Sequence, residues 1–155
     1  MKHEEAWDRH NGPHASPDSN SITRLNHWEA SSQLIDFNTD RGETMRTFIW
    51  ETTQPSLQKW SGVKLSPSTL YGRVYTNQSV IPPHIDAEPL VISAMIRVAH
   101  DLAEPWVMEM IGHDGKAYNI SLEEGEMLLY EGASVIHGRP FPMNGVFASA
   151  SLVYF

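Results

Sequence analysis

The sequence predicts a mainly β fold, a sandwich or jelly roll. Two observations carry that expectation: short segments rich in Val, Ile, Thr and aromatic residues follow one another closely along most of the chain, and turn-forming residues separate them. A third sets its scale, since 155 residues suffice for one domain with a substantial core but not for two ordinary ones. Such a fold gathers strand ends from both sheets around one barrel mouth. Side chains far apart in the chain can meet there.

Residues 1–20 are polar, carry Gly, Pro, Ser, Asn and three histidines, and are expected to form an N-terminal arm outside a single domain spanning 21–155. Leu25, Trp28, Leu34, Ile35 and Phe37 then recur at roughly helical spacing, with Ser21 as N-cap and Asn38-Thr39-Asp40 as the stop. That predicts one supporting helix over 22–37. Strands are expected at 44–52, 69–76, 79–85, 90–99, 106–111, 116–122, 127–130, 134–137 and 147–154. The stretch 53–68, with Pro55, Gly62 and Pro67, reads as loop. His113-Asp114-Gly115 is a hairpin turn, because Asp-Gly tolerates the positive φ that a tight turn needs, and Glu123-Glu124-Gly125-Glu126 makes another.

Composition narrows the chemistry. Net charge is −8 with no Lys/Arg cluster, which disfavours nucleic acid and anionic membrane as partners. No apolar run approaches the ~18 residues of a membrane span, and the first residues lack a basic-then-apolar secretory pattern, so a cytoplasmic location is expected. Cysteine is absent, so any metal must be held by His and carboxylate. There is no nucleophile elbow and no phosphate-binding glycine loop.

The segment that stands out is Pro83-His84-Ile85-Asp86, answered far downstream by Ile136-His137-Gly138-Arg139. On an extended strand His84 and Asp86, at i and i+2, project from the same face, whereas a helix would turn them apart. Joined by His137, they would form the two-histidine, one-carboxylate arrangement of non-haem Fe(II) oxygenases, which leaves half of the metal's coordination sphere open. The triplet alone is weak, since His3-x-Glu5 and His27-x-Glu29 match its looser form. His3 lies in the polar arm, however, and His27 and Glu29 lie in the expected helix.

Six short blocks together resemble the prolyl 4-hydroxylase-type Fe(II)/2-oxoglutarate dioxygenases, most closely the small microbial, algal and viral ones. They are Pro83-His84-Ile85-Asp86, residues 92–96, Glu104-Pro105-Trp106, His113-Asp114-Gly115, residues 125–131 and His137-Gly138-Arg139-Pro140. The resemblance covers about residues 70–155. It implies a double-stranded β-helix, Fe(II) held by His84, Asp86 and His137, 2-oxoglutarate and O2 as co-substrates, and hydroxylation of a prolyl residue in a peptide or protein. It also matches Tyr75 to a tyrosine that donates a hydrogen bond to 2-oxoglutarate.

One departure is serious. Many such enzymes carry a Lys or Arg nine or ten residues beyond the distal histidine for the C5 carboxylate of 2-oxoglutarate, and here those positions are Val146 and Phe147. An unpaired carboxylate cannot be buried cheaply, so another cation must serve. Arg97 shares strand parity with Ser93 and Met95 on the face expected to line the barrel, and Arg139 shares parity with His137. Either guanidinium offers a planar fork for a carboxylate; the alternative for each is an outward side chain paired with a surface acid. Glu131 and Ser134 are candidates to orient the distal imidazole. Two alternatives remain beside the prolyl reading: the same chemistry on a free amino acid or other small molecule, and a non-catalytic metal-binding jelly-roll module.

Overall fold

The computed structural model describes residues 32–155 apart from Asn38 and Arg41. In chain order the elements are β1 (Ser32–Asp36), α1 (Glu43–Ser61), β2 (Thr69–Thr76), β3 (Ile81–His84), β4 (Ser93–Leu102), β5 (Met108–Ile111), β6 (Ala117–Ile120), β7 (Met127–Tyr130), β8 (Ile136–Arg139) and β9 (Gly145–Tyr154). The strands form a five-stranded sheet ordered β1-β2-β9-β4-β7 and a four-stranded sheet ordered β3-β8-β5-β6. All pairings are antiparallel. This is the double-stranded β-helix expected from the sequence.

Alternation along the central strands explains two separate cores. In β2, β4 and β9 the residues Tyr71, Met95, Ala150, Leu152 and Tyr154 turn inward with Tyr130 of β7 and join Met108 and Met110 of the facing sheet. Their neighbours Leu70, Ala94 and Val153 turn outward and pack with Ile49 and Leu57 of α1. The five-stranded sheet is therefore buried on both faces, which is why its strands read as near-continuous apolar runs.

Two sequence expectations are overturned. Leu34 and Ile35 lie in β1, not in a helix, since Ser32–Asp36 pairs along β2 from Ser32↔Tyr75 to Asp36↔Tyr71. The expected arm 1–20 and residues 22–31 of the expected helix lie outside the described residues. The helix instead covers Glu43–Ser61, over the strand expected at 44–52 and most of the loop expected at 53–68. Its Thr, Ile and Phe content mimics a strand, but Ile49, Thr53 and Leu57 fall at i, i+4 and i+8 and make one buried stripe. Pro55 lies on the exposed side, and Gly62 closes the helix in the left-handed conformation with its N–H donating to Gln58 O. Leu57 is fully buried. Leu57→Ala is therefore expected to cost about 2–5 kcal/mol, measured by urea unfolding, while leaving the barrel interior intact.

Candidate active site

His84 ends β3 and His137 opens the inward row of β8, and the ladder pairs them directly, His84↔His137. A cross-strand pair of this kind puts both side chains on one face of the sheet. Their ring centroids are 4.5 Å apart. Asp86 follows in the loop after β3, held by its own N–H donating to Gly132 O at 2.8 Å and by the Ser93 hydroxyl donating to Oδ2 at 3.4 Å. All three side chains are buried, and one ligand atom from each lies within 4.8 Å of the others. Among the described residues no other such cluster of His, Asp and Glu occurs.

The backbone fixes which nitrogen faces the cluster. The Nδ1–H of His84 donates to Pro82 O at 2.8 Å, and that of His137 to Val135 O at 2.8 Å. The Nε2 lone pairs are thus directed at Asp86, at 3.9 Å from Oδ1 and 3.8 Å from Oδ2. These separations are too long for hydrogen bonds, so three electron-pair donors converge without satisfying one another. Burial holds His84 and His137 down to about 4 and pushes Asp86 up to about 6. Neutral imidazoles and a carboxylate are the protonation states a divalent cation requires. The donor set fits Fe(II).

Glycines make the approach possible. A Cβ on Gly132 would run into the Asp86 carboxylate and the Ser93 hydroxyl. One on Gly138 would lie 2.7 Å from Ile81 O and 2.9 Å from Pro83 Cα, wedging β8 away from β3. Gly132→Ala is expected to displace Asp86 and weaken metal binding roughly 10–100-fold, in the range seen when groups that orient a ligand are altered, with little loss of helical or sheet content by circular dichroism.

The cavity beside the three residues is lined by Tyr71, Arg73, Tyr75, Met95, Tyr130 and Arg139, among others. Arg139 is almost fully buried, its Cζ lies 4.6 Å over the Trp106 ring, and its guanidinium donates to the Trp106 carbonyl. Burial first, and the charge of Arg97 second, push Arg139 down to about 9. The Tyr75 hydroxyl is raised by burial against the opposing charges of Arg73, Arg139 and Arg97. Both expected residues, Tyr75 and Arg139, thus stand in the cavity of the histidine pair. Arg97 is buried as well, not paired outward; it lines a second cavity together with Trp106, and its charge acts on both Tyr75 and Arg139.

Two corrections and one addition follow. Glu131 and Ser134 do not orient His137. They bond to each other at 3.0 Å, and Glu131 also takes His113 Nε2 at 2.8 Å, on the surface. Val146 is two-thirds exposed near the start of β9 and Phe147 is half-buried, so neither position where related sequences place a cation supplies one. Arg73 was not anticipated. It shares strand parity with Tyr71 and Tyr75, which was the available signal, and its guanidinium donates to Ser32 Oγ at 3.3 Å and stacks 5.3 Å from the Tyr71 ring.

Fold and site together define a double-stranded β-helix with a buried His-Asp-His cluster. Solved structures of 2-oxoglutarate/Fe(II) oxygenases share this fold at low sequence identity. A prolyl-4-hydroxylase from Pseudomonas putida matches with TM-score 0.55 and 13% identity over 79% of this chain and 70% of its own. A 2OG-Fe(II) oxygenase family protein from Burkholderia pseudomallei gives 0.63 and 10% over 76% and 58%. A Trichoplax adhaerens prolyl hydroxylase, solved with a hypoxia inducible factor oxygen degradation domain peptide fragment, gives 0.58 and 13% over 80% and 61%. The chain thus spans about three fifths of the length of the last two. No protein-family model and no curated protein matches the sequence. Among the described residues no helix is long and apolar enough to cross a membrane.

Proposed function

We propose that the protein is an Fe(II)- and 2-oxoglutarate-dependent hydroxylase, acting on a prolyl residue of a peptide or protein, with 21–155 as its catalytic domain. The observation that carries this is the cross-strand pair His84↔His137 with Asp86 beside it. When bound, Fe(II) with 2-oxoglutarate and O2 supplies oxidative decarboxylation to succinate and hydroxylation of a C–H bond. In this reading His84, Asp86 and His137 hold the metal, and Arg139 with Tyr75 receives the C5 carboxylate. The buried tyrosines and methionines exclude water. No side chain has to act as a general acid or base.

The enclosed space is about 50 Å³, room for roughly four waters. A five-carbon dicarboxylate must displace these and move side chains; Met95 and Met108, unbranched and pliable, line the same wall. Arg73 on that wall favours a second reading, the same chemistry on a free amino acid or other small carboxylate.

Anaerobic addition of Fe(II) and 2-oxoglutarate should produce a visible metal-to-ligand charge-transfer band. A colourless mixture with normal metal binding would return the chain to a non-catalytic metal-binding module. With oxygen present, acceleration of succinate formation by a proline-rich peptide supports the prolyl assignment. Acceleration by free amino acids alone supports the second reading.

A further inference from the structure

Two blocks that stand out in the sequence, His113-Asp114-Gly115 and the end of residues 125–131, meet each other away from the cavity of the histidine pair. His113 Nε2 lies 2.8 Å from Glu131 Oε2, and a carboxylate only accepts, so the imidazole donates. The same oxygen accepts the Ser134 hydroxyl at 3.0 Å. These two donors hold the Glu131 carboxyl below the usual carboxylate range.

What they fix is the turn 131–135. Glu131 O accepts the N–H groups of Ser134 at 3.2 Å and Val135 at 2.9 Å, which closes it. Two further carbonyls of this turn reach candidate metal ligands. Gly132 O takes the Asp86 N–H at 2.8 Å, and Val135 O takes the Nδ1–H of His137 at 2.8 Å. The hairpin at the other end of the contact is braced, since Asp114 accepts the Lys116 N–H at 3.0 Å and the Tyr118 hydroxyl at 2.8 Å. Its strand β5 stands directly beside β8, with Met110 opposite His137. The inner side of the turn has no slack, because a Cβ on Gly132 would already overlap the Asp86 carboxylate. Close packing therefore passes a displacement of the turn on to Asp86.

We propose that His113 and Glu131 are a positioning pair for the metal centre. By tying the turn 131–135 to the β5–β6 hairpin, they set where the carbonyls of Gly132 and Val135 stand, and through these the relation of Asp86 to His137. The inference rests on the reading of His84, Asp86 and His137 as metal ligands. Neither side chain of the pair touches the metal. Both are exposed, His113 at 67% and Glu131 at 43%, so the contact adds little to global stability and its effect is local.

The test is an anaerobic titration of metal-free, full-length protein with Co(II), which N/O sites bind more tightly than Fe(II) and whose visible bands report coordination geometry. Glu131→Ala should weaken Co(II) binding roughly 3–10-fold, below the 10–100-fold typical of groups bonded to a ligand itself, and should shift the bands. The melting temperature of the metal-free variant should stay close to the parent's. Glu131→Gln keeps an oxygen that accepts from His113 and Ser134, and should restore the parent's affinity and spectrum. His113→Ala should reproduce part of the loss, and adding it to Glu131→Ala should cost nothing more, as expected of residues that act as a unit. Glu124→Ala, which breaks the other surface contact between a histidine residue and a glutamate, should leave Co(II) binding unchanged. Parent-like affinity and bands in Glu131→Ala overturn the proposal, as does failure of Glu131→Gln to restore them or full additivity of the two alanine changes. A parent that binds no Co(II), or binding that survives His84→Ala, removes the metal reading and the proposal with it.

Discussion

Asp86→Asn is expected to raise the melting temperature of the metal-free protein at pH 8 and, in the same variant, to abolish stabilisation by Fe(II). The two effects share one cause. Burial, the largest influence on Asp86, lifts its carboxyl from 3.8 to about 6, so above pH 6 the folded metal-free protein holds a charge that water would solvate better. A group raised in this way contributes stability at low pH and loses it as pH climbs through its folded value. The loss above pH 6 corresponds to about 3 kcal/mol. The gap between the Asn variant and the parent should therefore be widest above pH 6, shrink below it, and close below pH 3.8.

The histidines set an opposite trend that both proteins share. With folded values of about 4 against 6.5, their imidazoles take up protons first in the unfolded chain, so stability falls as pH drops from 6.5 towards 4. Adding Fe(II) anaerobically at pH 8 should stabilise the parent and leave Asp86→Asn unmoved, because one of three ligands is gone. Calorimetry with and without metal reads both effects. An apo variant no more stable than its parent would show that the Asp86 charge is compensated in the fold. A variant that Fe(II) still stabilises would remove Asp86 from the ligand set.

Arg139→Met is expected to leave Fe(II) binding intact while weakening 2-oxoglutarate binding by about two orders of magnitude or more. Truncating one partner of a buried charge pair typically costs about 2–5 kcal/mol, and Arg139 is the buried cation that shares a cavity with the metal-binding candidates. Its guanidinium is held by the Trp106 carbonyl and ring, so its position is set before any ligand arrives. Met keeps the apolar stem and removes the charge, which limits the damage to packing. The anaerobic charge-transfer titration checks it: the band should need at least about a hundredfold more 2-oxoglutarate. If Arg97→Gln has that effect and Arg139→Met does not, Arg97 is the cation that receives the carboxylate.

Much of the site was legible in the chain because its signals are local. His84 and Asp86 are separated by one residue, and parity along a strand correctly placed Ser93, Met95 and Arg97 on one inward face. The Asp114-Gly115 turn and the limits of β7 followed from turn chemistry and apolar patterning. The expectation for Glu131 failed for an equally physical reason. Proximity in sequence to His137 suggested a partner, but the backbone carbonyl of Val135 already takes the imidazole N–H, and Glu131 turns to His113.

The helix and β1 were misassigned because propensity competes there with burial. Residues 43–61 carry strand-like side chains, yet a stripe at Ile49, Thr53 and Leu57 finds an apolar sheet face to cover. Ser32–Asp36 looks helical by spacing, but pairing with the open edge of β2 satisfies its backbone instead. Local residue chemistry was thus enough to specify a β domain, its inward-facing rows and three metal-seeking side chains. Which cavity each arginine lines was settled only by how the two sheets close on one another, since strand parity states a face and says nothing about depth along the barrel.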